Sequence, residues 1–376
     1  MEKSKYAGHI DWYILLSTVA LMLFSVAFVY SASATFSEIK LGSAESLLRS
    51  HSFKVAIGLL LLFVFARIDY HIWKKFSKYI LLAAIGALAL VLVVGSAAKG
   101  ASRWISFGFF TFQPTEVAKF ALALHFAALL SEKQKVIKDF KSGFLPFMIW
   151  LGVVLVLIAL QPNFSNLLVI FMIAFSMMFI GNTNLLHLGS TFIVGLTLAA
   201  GYALSAQYRL NRLLAFFGMG GESDVSARVK YQLNQALIAL GNGGIAGVGA
   251  GQNRQSHLFL PESYGDFIFS IIGEEYGFIG VTLVIAAFVI IFWRGMLIAK
   301  KAPDDFGYFL AIGILITFAF YVFVNAGVNA GALPTTGVPM PFISYGGTAI
   351  FVYAAAAGVL LNISAQAGVY PKSQRA

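Results

Sequence analysis

Ten apolar stretches decide most of what this chain can fold into: approximately 12–30, 51–66, 79–98, 112–131, 144–160, 165–181, 186–205, 267–293, 307–328 and 347–366. A bilayer core is crossed by about 20 consecutive apolar residues in a helix. Lipid offers no partner to backbone N–H and C=O groups, so each crossing must close its own hydrogen bonds as a helix. The second and fifth stretches are short. Charged residues make up 11% of the chain, against about 25% in soluble domains, so little mass is left for anything outside the membrane. The expected fold is an all-α polytopic membrane protein of ten transmembrane helices, with residues 1–376 as a single domain.

Lys3 and Lys5 ahead of the first apolar run, and Ala32-Ser33-Ala34 after it, resemble a secretory leader. The run is longer than the 7–15 residues of a cleaved leader, so it is read as a retained first span. With the N-terminus inside, 15 of the 26 Lys and Arg fall on the inner side, clustered in short segments such as Lys74, Lys75, Lys78 and Lys133, Lys135, Lys138, Lys141. That asymmetry is the usual orientation signal, and an even number of spans puts both termini in the cytoplasm. It also accounts for much of the net charge of +10, which therefore carries no implication of nucleic acid. Cysteine is absent, which excludes disulfides and thiolate metal sites. The six histidines are scattered without the spacing of a zinc site.

In this topology the unusual polar residues collect on the outer side. Asp266 heads the eighth span, where a carboxylate is costly and generally functional. Asp266, Ser270 and Glu274 recur at i, i+4, i+8 and would share one helical face, with Glu274 about 12 Å deeper. An N-cap role for Asp266 is the plainer alternative. Glu116 and Lys119 are three residues apart at the start of the fourth span, after Pro114. They read either as a structural ion pair with Lys119 snorkelling outward, or as a pair beside a polar cavity. Lys99 and Arg103 in KGASRWI are suited to hold a lipid-linked diphosphate.

The long loop 206–266 opens with YRLNRLLAFFGMG, whose Leu210, Leu213, Leu214 and Phe217 pattern suits a short helix lying in the membrane interface. The glycines from Gly241 to Gly251 lack the Gly-Lys-Ser/Thr ending and preceding strand of a phosphate loop, so close packing or a lid is expected there. Asn325 to Gly347 contains three prolines and five glycines, and such broken backbone is expected to wall the same outer cavity.

The strings KGASRWI, QPTEVAK, QPNFSN, GNGGIAGVGAGQNRQSHLFLPESYGDFIFSIIGEEYGFIG and LPTTGVPMPFISYGG resemble, in order and spacing, the SEDS family (shape, elongation, division and sporulation). The resemblance spans the chain, and PFISYGG with GVGAGQNRQSHLFLPES is closer to the division branch than to the elongation branch. It implies a peptidoglycan glycosyltransferase that polymerises lipid II at the outer leaflet beside a class B penicillin-binding transpeptidase and other division proteins. Asp266 stands at the family's essential aspartate, and Glu116 and Lys119 at its cavity pair. The candidate substrate-binding residues are Lys99, Arg103, Glu116, Lys119, Arg212, Gln235, Arg254 and Glu274. Three positions depart from the family's pattern: Asn163 where Asp is common, Gly265 for Thr, and Ser102 for a basic residue.

An α-linked donor and a β-linked product imply one inverting displacement, for which Asp266 as general base on the GlcNAc 4-hydroxyl is sufficient. Lys99, Arg103, Arg212 or Arg254 would then neutralise the departing diphosphate, a role that Mg or Mn could share. Two other functions fit the same spans: a lipid II flippase, although no repeat is visible and the polar groups avoid the midplane, and a non-catalytic division scaffold.

Overall fold

The computed structural model describes residues 9–98, 101–106, 111–219 and 224–367. In chain order it contains α1 (Trp12–Leu41), α2 (Ser46–Arg67) and α3 (Tyr70–Val94), followed by three short strands, β1 (Ser96–Ala98), β2 (Ala101–Ser106) and β3 (Thr111–Phe112). After these come α4 (Pro114–Lys133), α5 (Leu145–Leu160), α6 (Phe164–Ile180), α7 (Leu185–Leu204), α8 (Gln207–Phe216), α9 (Asp224–Gly243), α10 (Ile268–Lys300), α11 (Asp305–Asn329) and α12 (Thr348–Gln366). The strands form an antiparallel sheet in the order β1-β2-β3. Among the described residues, eight helices are long and apolar enough to cross a membrane: α1, α2, α3, Phe140–Leu160 (the π-turn Phe140–Phe144 with α5), α7, α10, α11 and α12. The apolar helix α6 is shorter, and α4 interrupts its apolar run with Glu116, Lys119 and His125.

Of these eight, α11 and α12 are the most enclosed, whereas α7 turns nearly all its side chains outward. Phe318, Tyr321, Phe342 and Tyr353 are fully buried and meet edge to face around the bundle axis. One end of the bundle is tied by polar contacts. Tyr70 N–H donates to Asn362 Oδ1 at 2.9 Å, and its hydroxyl donates to Asp304 Oδ2 at 2.7 Å. Arg294 pairs with the buried Asp11 at 2.5 Å. Ser364 Oγ accepts from Asp11 N–H at 2.9 Å. These residues sit at the starts of α1, α3 and α11 and near the ends of α10 and α12; Asp266 lies at the other end.

Two stretches between the expected spans, residues 32–50 and 206–266, contain substantial helix. Residues 32–50 reduce to a turn, because α1 continues to Leu41 and is closed by Gly42 at φ 76°. The polar tail of α1 packs against the bundle: Ser33 and Ser37 are buried, and Ser31 Oγ donates to Glu275. The loop 206–266 contains the anticipated short helix, α8, and also the unanticipated α9.

The glycine-rich stretch resolves in favour of close packing. Helix α10 breaks at Gly277, whose φ of 63° no helical residue adopts. The groups freed by the break pair with that stretch: Val248 N–H donates to Glu274 O (3.0 Å), Gly249 N–H to Glu275 O (3.0 Å), Phe278 N–H to Gly244 O (2.9 Å) and Ile279 N–H to Ile245 O (3.1 Å). A Cβ on Gly247, at φ +83°, would lie 2.1 Å from the Glu275 carbonyl oxygen. Gly247→Ala is therefore expected to destabilise the protein by about 1–3 kcal/mol through overlap and left-handed strain, read as a lower melting temperature in detergent.

Candidate functional site

The segment before α10 is held by carbonyl contacts rather than by capping. Ser344 Oγ donates to Gly265 O at 2.8 Å and Tyr345 N–H to Tyr264 O at 2.9 Å. Asn325 and Asn329, one turn apart on α11, both donate through Nδ2 to Asp266 O, at 2.8 and 3.0 Å. Asn325 Nδ2 also donates to Val338 O at 2.8 Å, which joins α11 to the broken segment 330–346. Asn329 Oδ1 in turn accepts from Ser270 N–H (3.0 Å) and Ser270 Oγ (2.7 Å). The Asp266 main chain is thus fixed, and its half-buried side chain lines a pocket. It is not a helix cap: Phe267 holds that position and no side chain bonds there. Asn329→Leu would strand the buried Ser270 hydroxyl. The expected loss is about 1–3 kcal/mol, measurable by denaturation of the purified protein.

The carboxylate opens into a cavity of about 90 Å³ lined by Arg212, Gln232, Glu262, Asp266, Phe267, Asn325, Val328, Thr335, Thr336, Gly337 and Val338. Thr335 and Thr336 present buried hydroxyls without a hydrogen-bond partner among the described residues. Unsatisfied buried hydroxyls at a pocket wall are groups that a ligand can complete. Gly337, at φ +70°, lets the wall come close: a Cβ there would stand 3.2 Å from Asp266 Oδ2. The proline- and glycine-rich segment therefore walls the Asp266 pocket, as its composition anticipates.

The sequence-derived candidates divide. Arg212, on α8, lines the pocket with Asp266. Gln235 does not; its place on α9 is taken by Gln232, one turn earlier. The expected stripe of Asp266, Ser270 and Glu274 does not form, because Asp266 precedes the helix and the other two are buried elsewhere. Glu274 is a loop anchor rather than a cavity residue: its carboxylate accepts from Arg254 N–H (3.1 Å) and Gln255 N–H (3.2 Å). Arg254 accordingly takes part through its backbone, with an exposed side chain outside the pocket lining. Its neighbour Glu275 is also structural, accepting from Ser31 Oγ and Asn253 Nδ2.

Glu116 and Lys119 form an ion pair at 2.6 Å with almost no exposure, so Lys119 does not snorkel. Lys119 donates to Tyr353 OH at 3.0 Å and stands 3.5 Å over the Tyr321 ring. Tyr321 lies one turn before Asn325 on α11, so the pair sits beneath the pocket floor and not in its lining. Tyr321 OH donates to Asn166 Oδ1 at 2.5 Å, and Asn166 Nδ2 donates to Asn163 Oδ1 at 3.1 Å. The departure at Asn163 is thus the end of a buried polar chain.

Arg103 braces a turn: Nε donates to Gln161 O at 3.1 Å and Nη2 to Pro162 O. Partial burial pulls its pKa below the usual arginine range, and the Arg212 charge adds to that against nearby tyrosines. Lys99 lies outside the described residues, and the Ser102 side chain is likewise not described.

Glu262 is the pocket carboxylate that sequence reasoning missed. It stands four before Asp266, but not on a helix: at φ 60° it makes a turn in which Glu262 O accepts from Gly265 N–H at 3.0 Å. The E-x-x-x-D spacing in PESYGD was the available signal. Among the described residues no cluster of three or more His, Asp or Glu could hold a metal. Glu262 and Asp266 are the pocket's two carboxylates.

Apolar helices around a polar, carboxylate-bearing pocket at one end of the bundle define a polytopic membrane protein with a site at one membrane surface. The family of FtsW, RodA and SpoVE, described as cell cycle protein, matches residues 11–368, and the chain belongs to it. It is 38% identical over 356 residues to the probable peptidoglycan glycosyltransferase FtsW of Geobacter metallireducens, covering 94% of each chain. To the stage V sporulation protein E of Bacillus subtilis it is 36% identical over 359 residues, covering 94% of this chain and 96% of that one. A chain solved in a peptidoglycan synthase complex superposes with a TM-score of 0.74 at 25% identity, covering 94% of this chain and 97% of that one. The rod shape determining protein RodA of Thermus thermophilus gives a TM-score of 0.70 at 25% identity, covering 95% and 97%.

Proposed function

We propose that the Asp266 pocket is where this chain extends glycan strands from lipid II, with Asp266 as general base. Family and curated relatives make it a peptidoglycan glycosyltransferase. The observation that carries the mechanism is the shared lining: one carboxylate with a fixed main chain, one arginine and two unpartnered threonine hydroxyls in a single pocket.

Asp266 takes the proton of the acceptor's GlcNAc 4-hydroxyl as its oxygen attacks the anomeric carbon of the donor. The bond to the diphosphate breaks from the opposite face, and α becomes β in one displacement. Diphosphate leaves without being protonated if its charge is neutralised, which is the role of Arg212. Mg or Mn arriving with the diphosphate would find its protein oxygen at Glu262 and would add charge neutralisation. Arg212 is exposed, so Arg212→Gln is expected to slow polymerisation about tenfold and not abolish it. A radiolabelled or fluorescent lipid II assay reads this.

The proposal carries a topology: ten spans, namely α1 to α7 and α10 to α12, both termini cytoplasmic, and the pocket at the outer leaflet of the bacterial cytoplasmic membrane. The lysine-rich end at α3 and α4 supports it. A class B penicillin-binding transpeptidase is the expected partner, by likeness to the synthase complex, and other division proteins follow from the division-branch likeness. The test is polymerisation of lipid II in proteoliposomes, with and without that transpeptidase, run beside a lipid-flipping assay. Flipping without polymerisation would favour a transporter, and neither activity a scaffold.

A further inference from the structure

A second cavity, of about 320 Å³, lies at the end of the bundle opposite Asp266, between α3, α4 and α5. That volume falls within the range of about 300–1,000 Å³ common to ligand sites. Lys74, Lys75 and Lys78 line it from α3, with Lys74 and Lys78 one turn apart. Across from them stand His125 and Glu132 of α4 and Trp150 of α5. Three ammonium groups face one carboxylate, and among the described residues none of the three lysines makes an ion pair. Lys74 is steadied over the Phe306 ring at 5.7 Å.

The cavity also has a built polar floor. His125 is 6% exposed, its Nδ1 lies 3.2 Å from Ser77 Oγ, and its ring packs edge-on against Trp150 at 5.1 Å. Its Nε2 is buried and has no hydrogen-bond partner among the described residues. In the tautomer in which Ser77 Oγ–H donates to Nδ1, Nε2 carries the proton and can donate to an acceptor held by this cationic, membrane-level cavity. Basic pockets between membrane helices suit anionic lipid head groups.

We propose that this cavity binds the phosphodiester head group of an anionic glycerophospholipid from the adjacent leaflet, with Lys75 and Lys78 on the phosphate and His125 Nε2–H donating to it. The acyl chains then lie along the apolar outer faces of α3 and α5, where Tyr79, Leu82 and Ile149 are exposed. A bound lipid would fill the seam between the two helices, and this site is independent of the catalytic pocket at the other end.

The test is native mass spectrometry of the full chain in neutral detergent, titrated with phosphatidylglycerol, phosphatidylcholine or inorganic phosphate. Each lysine near an anionic lipid is worth about fivefold in affinity, or about 1 kcal/mol. Lys75→Gln with Lys78→Gln should therefore weaken phosphatidylglycerol binding about 30-fold, and His125→Phe should weaken it about fivefold. Lys75→Arg with Lys78→Arg should retain binding. Lys135→Gln with Lys138→Gln, at the same end but outside the cavity, should leave it unchanged. Equal retention of phosphatidylcholine would overturn the proposal, as would equal weakening by both Gln pairs. Displacement of the lipid by inorganic phosphate alone would replace it with a free-anion site.

Discussion

Asp266→Asn is expected to remove lipid II polymerisation while leaving a folded, membrane-inserted protein. The amide cannot accept the hydroxyl proton, and general base catalysis contributes about 10² to 10⁴ in rate. The fold should survive because Asn325 and Asn329 hold the residue by its carbonyl oxygen, an attachment the substitution keeps. Asn is close to isosteric, so the near approach of Gly337 is also kept. The measurement is glycan-strand synthesis by purified variant and wild type in proteoliposomes, with melting temperatures compared in the same detergent. Wild-type rates from the variant would remove Asp266 from the chemistry. A collapse in melting temperature would mean that the carboxylate supports the fold instead.

The second large effect is predicted at Lys119 and concerns stability first. Lys119→Met leaves the buried Glu116 carboxylate without its 2.6 Å partner, and removes the cation from above the Tyr321 ring. Breaking one side of a buried ion pair costs about 3–5 kcal/mol, most of it the stranded charge. Adding Glu116→Gln to Lys119→Met should recover most of that loss, since no charge is then left in the core. Chemical denaturation of the two single variants and the double variant in detergent forms the cycle. Additive losses would show that the pair is not coupled. Because Tyr321 is one turn from Asn325, the Lys119→Met variant should also lose activity by disturbing the α11 turn that holds Asp266.

The outcomes at Glu116 and Lys119 illustrate what spacing can and cannot carry. Residues three apart on a helix meet whatever surrounds them, so the pairing was legible in QPTEVAK. Whether the pair faced a cavity, lipid or core depended on Tyr321 and Tyr353, which arrive from helices some 200 residues later. The opposite happened at Asp266, Ser270 and Glu274. Their i, i+4, i+8 spacing assumed a helix beginning at Asp266, whereas α10 starts at Ile268; its break at Gly277 comes after all three. The break is tolerated only because the Gly244–Gly249 backbone supplies its hydrogen bonds, a fact about packing between distant segments.

By itself the sequence determined that apolar helices build the chain, roughly where they run, and that the Pro- and Gly-rich segment after α11 is broken backbone. Hydropathy and helical period act over one or two turns, and lipid leaves the backbone no other solution. Only the tertiary structure decided which polar residues share the pocket. It kept Arg212, brought in Gln232, Glu262 and the Thr335–Val338 wall, and left Arg254, Glu274 and the Glu116–Lys119 pair outside the lining. Convergence of side chains from far-apart segments depends on how helices pack and where their backbone breaks, and no local pattern encodes that.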